Sequence, residues 1–108
     1  MSAGTARFVK VGRAGDVPDG RPEVFEIEDR HIAVYRLEGA YHAIEDICTH
    51  DGGPLAEGEL DGQEVICPRH GARFDIKTGA ATCMPAIAPV ESYPVRVEGD
   101  DLLIGLPD

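Results

Sequence analysis

The sequence has no tryptophan, only three tyrosines and three phenylalanines, and no long apolar run. Its first twenty residues contain Phe8, Val9 and Val11 but nothing like a secretory signal. Nowhere does an apolar stretch approach the ~20 residues a membrane helix needs. A soluble, cytoplasmic chain with no membrane partner is therefore expected. Basic side chains are also scarce, with 10 Lys and Arg against 20 Asp and Glu and a formal charge of −10. Nucleic acid is a poor partner for such a chain, because phosphate binding needs clustered cations. The charge suits a basic protein surface through steering, and it serves solubility equally well. Cysteine is limited to three residues. An odd number fits a disulfide framework badly and metal binding better.

What is present describes one folded domain. The 108 residues leave no room for a second core, and 43% hydrophobic with 28% charged residues is ordinary for a globular protein. No repeat, low-complexity tract or convincing amphipathic helix interrupts a pattern of short strands and turns; a turn of helix near Gly15–Gly20 is the one exception allowed. Phe8 to Val11 reads as an opening strand. Val24 to Glu28 alternates, with Phe25 and Ile27 on one face and glutamates on the other. Ile32 to Leu37 follows, and Glu38-Gly39 turns it toward Tyr41 to Ile44. Glu98-Gly99-Asp100 joins Tyr93–Val97 to Leu102–Ile104 as a terminal hairpin. The fold class expected is all-β and antiparallel. Between about 46 and 85 the chain is dense in Gly, Pro and Asp, with turn signals at Asp61-Gly62 and Thr78-Gly79. The expected organisation is a β base from about 1–45 and 86–108, with a loop-rich subdomain from about 46–85 inserted in it.

Both candidate ligand pairs fall in that insert. Cys48-Thr49-His50 and Cys67-Pro68-Arg69-His70 are separated by 16 residues, each offering one thiolate and one imidazole. Pro54 and Pro68 stiffen the loops, while Gly52, Gly53 and Gly71 permit close approach and positive φ. Such backbone can aim N–H groups inward at an anionic sulfide. Three explanations compete. Unrelated buried cysteines and surface histidines would be inert, but two matched pairs in one stretch argue against coincidence. Structural zinc accepts two cysteines and two histidines, though it usually pairs like with like within a knuckle. A [2Fe–2S] centre can place two cysteines on one iron and two histidines on the other.

The segments CTHDGGPLAEG and CPRHGARFDIKTG resemble the two cluster loops of Rieske ferredoxins, and the likeness runs from about Ile44 to Tyr93. It implies an antiparallel β base with a cluster subdomain at one tip, and one [2Fe–2S] cluster held by Cys48, His50, Cys67 and His70. Cys48 and Cys67 would bind the inner iron, His50 and His70 the outer one. Two thiolates and two neutral imidazoles leave an oxidised cluster neutral, whereas four thiolates leave it a dianion. Reduction is thereby easier, which accounts for potentials of about −150 to +300 mV against about −400 mV for plant-type ferredoxins. Respiratory members of the family add a cysteine to each loop, where this chain has Gly53 or a neighbour and Arg69. They also supply serine and tyrosine hydroxyls, where this chain has Ala72 and Phe74. Loss of both donors implies a low-potential member.

The resemblance implies no catalysis by the chain itself. It implies an electron carrier from an NAD(P)H-dependent flavoprotein reductase to a terminal oxygenase, and a monomer is expected. The small subunit of an assimilatory nitrite reductase is the alternative, and a structural zinc module ranks third. Among other candidates, Cys83 is expected to be a packed thiol, and His31 and His42 ordinary surface or interstrand histidines. Asp75 and Thr78 are expected to fix a turn, and Tyr41 and Tyr93 to pack the base. Seven acids occupy 44–66 (Glu45, Asp46, Asp51, Glu57, Glu59, Asp61, Glu64) with no Lys or Arg, before Arg69, Arg73 and Lys77. They suggest either solvated faces or a two-signed docking tip.

Overall fold

The computed structural model describes residues 7–48, 53–68, 71–84 and 88–106. Eleven strands are found among them, in chain order β1 (Arg7–Arg13), β2 (Glu23–Ile27), β3 (Arg30–Leu37), β4 (Ala40–Glu45), β5 (Glu59–Asp61), β6 (Glu64–Ile66), β7 (Arg73–Asp75), β8 (Ala81–Cys83), β9 (Ser92–Tyr93), β10 (Val95–Glu98) and β11 (Asp101–Leu106). They form three sheets, ordered β1-β11-β10, β2-β3-β4-β9 and β5-β6-β7-β8. Every strand pair is antiparallel. The all-β expectation holds, and the only helical segment described is a single 3-10 turn at Ala14–Asp16. No helix among the described residues is long and apolar enough to cross a membrane.

The turns follow from local chemistry. Glu38-Gly39 has φ of 53° and 83°, the mirror-image geometry whose twist suits a two-residue hairpin. Glu28-Asp29 adopts the same geometry at 51° and 68° without a glycine, and joins β2 to β3. Arg7 braces that turn from β1 through two hydrogen bonds of 2.9 Å to the Glu28 carboxylate. The expected strand from Tyr93 to Val97 is broken in two. Pro94 has no N–H to give a ladder, so Tyr93 ends β9 in one sheet and Val95 begins β10 in another.

β3 explains how the layers join. Ile32, Ala33, Val34 and Tyr35 are all fully buried, which a strand with one wet face does not allow. Alternation sends Ile32 and Val34 into one core with Val17, Leu102, Ile104 and Leu106 from beyond their sheet. Ala33 and Tyr35 enter a second core with Cys48, Leu55, Val65, Cys67, Ala72, Phe74 and Ile76. The central sheet is thus shared, and the cysteines sit on its far side.

Candidate metal centre

Cys48 and Cys67 enter the same buried core from two loops of like construction. The Cys48 N–H donates to the carbonyl of Gly53 at 2.7 Å, and the Cys67 N–H donates to the carbonyl of Ala72 at 2.7 Å. Each cysteine thus closes a loop at its own neck. In the second loop the Gly71 N–H also returns to the Cys67 carbonyl at 3.0 Å, from a glycine at φ 78° that a side chain would strain. Both cysteines are 1% exposed, beside Leu55, Ala72 and Phe74, which are fully buried. Two soft donors are thereby held apart from water on an apolar floor. His50 and His70 lie outside the described residues, as do Asp51, Gly52 and Arg69.

The loops are tied to the strands beneath them. The Asp46 N–H donates to the His31 carbonyl at 2.8 Å, continuing the β3–β4 ladder by one residue. Its carboxylate accepts the Ala56 N–H at 2.7 Å, bridging both sides of the first loop. Sequence reasoning counted Asp46 only among the acids; no motif marks a carboxylate that takes a backbone amide ten residues on. Gly58 permits the next close approach, since a Cβ there would collide with the Ile66 carbonyl.

Behind the second loop, Asp75 and Thr78 fix the turn expected of them. Asp75 Oδ1 accepts the N–H groups of Lys77 at 2.8 Å and Thr78 at 3.2 Å, and its Oδ2 accepts from Gln63 at 2.7 Å. Thr78 Oγ1 accepts the Ala80 N–H at 3.2 Å. Burial pushes the Asp75 carboxyl up, but those hydrogen bonds and the Lys77 charge outweigh it and hold the carboxyl below its usual range. At φ 83°, Gly79 accepts the Val90 N–H at 2.9 Å, and a Cβ there would strike the Val90 carbonyl.

The remaining candidates sort plainly. Cys83 is exposed on β8, not packed as expected, because it lies at the outer edge of its sheet. His31 is exposed with its Nε2 3.5 Å from Glu26 across the β2–β3 pair. His42 is interstrand, opposite Tyr35, and its Nε2 is buried without a hydrogen-bond partner among the described residues. Burial, then the Lys77 charge, pushes the His42 pKa down against the opposing pull of Asp75. Tyr93 is core, with its hydroxyl 3.1 Å from Arg30, and the Tyr41 hydroxyl donates to the Ala14 carbonyl at 3.0 Å. Arg73 is engaged by Asp61 at 2.7 Å and Glu64 at 3.2 Å. Those contacts draw it into the sheet, so the basic half of a two-signed tip loses one of its three members.

Comparison with known proteins fits this geometry. The family model described as the Rieske [2Fe-2S] domain matches residues 7–94. The ferredoxin subunit of 3-phenylpropionate/cinnamic acid dioxygenase from Shigella flexneri serotype 5b is 44% identical over 95 residues, covering 86% of this chain and 88% of that one. The ferredoxin of carbazole 1,9a-dioxygenase from Nocardioides aromaticivorans IC177 superposes with a TM-score of 0.87 at 31% identity, over 95% of this chain and 100% of that one. A structure of reduced oxygenase with oxidized ferredoxin in carbazole 1,9a-dioxygenase is similar over 91% of this chain and 92% of that one, with 32% identity and a TM-score of 0.83.

Proposed function

The chain belongs to the Rieske [2Fe–2S] domain family, and on that premise we propose that it carries single electrons as the ferredoxin of an oxygenase system. It receives them from an NAD(P)H-dependent flavoprotein reductase and delivers them to a terminal oxygenase, as a cytoplasmic monomer. The observation that carries this reading is the family match over the segment that holds both cysteine loops. One relative is the ferredoxin subunit of a dioxygenase, and a different related ferredoxin has been seen in complex with its oxygenase. Nothing in these relatives favours the nitrite reductase subunit.

The ligands proposed are Cys48 and Cys67 for one iron and His50 and His70 for the other. On the same reading the cluster-binding subdomain runs over about 46–85 and the β base over about 1–45 and 86–108. The described residues fit the group. Two thiols 1% exposed at matched loop necks supply soft donors in a water-poor setting. When bound, the cluster supplies a site for one electron at a time. The chain's own contribution is to hold that site still. Leu55, Ala72 and Phe74 exclude water from the cysteine side, and the Asp46 and Asp75 bonds fix the approaches to both loops.

The test is the purified protein, expressed with ample iron. It should be coloured, hold about two irons and two acid-labile sulfides per chain, and be reduced by an NADH-dependent flavoprotein reductase. Ala at Cys48, His50, Cys67 or His70 should abolish or disturb the spectrum. A colourless protein with one zinc would overturn the reading. Stable co-purification with a sirohaem subunit would move it to the nitrite reductase class.

A further inference from the structure

Tyr35 lies mid-way along β3 and is fully buried in the core that holds Cys48 and Cys67. Its ring is packed, yet its hydroxyl is buried with no hydrogen-bond partner among the described residues. Buried polar atoms are almost always satisfied, and ordered water is the usual partner when protein is not. The register places a carboxylate acceptor on the same face. Tyr35 is opposite His42 and Ala33 opposite Ile44, so residues 42 and 44 share its face. The Asp46 N–H bond to His31 continues that ladder, and alternation brings the Asp46 side chain to the same face. Burial, and then the charge of Asp46, push the Tyr35 pKa up, so the phenol stays protonated and able to donate.

We propose that Tyr35 is a positioning residue for the first cysteine loop, its hydroxyl donating through one ordered water to the Asp46 carboxylate that holds the Ala56 amide at the loop neck. Removing the hydroxyl frees Asp46 to swing and leaves its negative charge less dispersed two residues from Cys48. The neck should then open more often, and an added electron nearby should be less welcome. The redox half of this statement rests on the proposed function; the neck half does not.

The test is Tyr35→Phe in the whole chain, which keeps the ring and deletes one oxygen. Amide exchange at Ala56 should quicken about tenfold relative to the β1–β11 ladder. The reduced-to-oxidised equilibrium should fall about threefold, which for one electron is about 28 mV. In an Asp46→Asn background the same change should yield less than half of either effect, because the acceptor charge is gone. Unchanged exchange at Ala56, faster exchange spread equally over both cores, or full additivity with Asp46→Asn would each overturn the proposal. If the phenylalanine variant does not fold, a crystal structure of the wild type decides. A water within hydrogen-bond distance of both groups supports the proposal, and its absence refutes it. An altered neck in a protein without an iron–sulfur spectrum would refute the proposed function alone. An intact spectrum with an unmoved neck would refute Tyr35 alone.

Discussion

The two hydroxyls that this chain lacks offer a direct probe of its redox poise. Ala72 and Phe74 are both fully buried, in one core with Cys48 and Cys67. The Ala72 carbonyl is already fixed by the Cys67 N–H, so Ala72→Ser adds a hydroxyl to an anchored backbone beside a cysteine. A donor that favours the reduced state by ~1.5 kcal/mol raises a one-electron potential by about 65 mV. The wild type, without such donors, should sit near the low end of the Rieske range, around −150 mV. Ala72→Ser should move it up by roughly 65 mV. Phe74→Tyr should do the same if its hydroxyl reaches sulfur, with an overpacking cost of about 1–3 kcal/mol in stability. The two shifts should be partly non-additive, since both act on one small centre. Protein-film voltammetry gives the potential, and urea unfolding of the same samples gives the control. A hydroxyl that misses its sulfur is buried unpaired and costs about 1–3 kcal/mol with no shift. A wild-type potential well above zero, or two intact variants that are stable yet unmoved, would refute the reasoning.

Asp75→Ala removes an acceptor for three donors and should cost about 1–2 kcal/mol, a modest figure because the group is only half-buried. The folded Asp75 carboxyl lies below its usual range, so its contribution is whole above the unfolded value and lost as pH falls through the folded one. The variant should therefore lose stability less steeply in acid, and parallel slopes would count against the assignment. Gly79→Ala must put a Cβ at φ 83° against the Val90 carbonyl and should cost about 2–4 kcal/mol by urea unfolding. Cys83→Ser should leave iron content, spectrum and stability unchanged, because that thiol is exposed on an edge strand; a bleached variant would make Cys83 part of the site.

Much of this was legible because short signals coincided. Alternation over 24–28 and 32–37 and the Glu38-Gly39 turn correspond to β2, β3 and their neighbours. The family match spans both cysteine loops, within residues 7–94. What escaped was set by tertiary context. In the run from Tyr93 to Val97, Pro94 is a local sign that the strand breaks, but nothing there says that its two halves join different sheets. Cys83 has no partner in the ligand motif and is expected to be packed, but its strand is the last in its sheet and turns the thiol to solvent. The bonds of Asp46 to Ala56 and Asp75 to Gln63 link positions ten and twelve residues apart, where no local pattern points. Even the Glu28-Asp29 turn, which is local, lacks the glycine that would announce it.

These long-range ties have a functional logic. A carrier that must gain and lose an electron quickly is served by ligand loops that need not rearrange when charge changes, because pre-set dipoles cost no reorganisation at that moment. Loops dense in glycine would not give that stiffness by themselves. Here it comes from outside them. Each neck is closed by its own cysteine N–H, Asp46 spans the first loop, and Asp75 and Gly79 secure the segment behind the second. The core that holds both cysteines also takes Ala33 and Tyr35 from β3, whose even residues anchor the opposite core. Loosening the far core at Ile32 or Val34 therefore reaches the cysteine side through the strand itself, whereas loosening Gly79 or Asp75 acts on one loop. Packing below the central sheet and hydrogen bonds above it are two parts of one support, joined by alternate residues of a single strand.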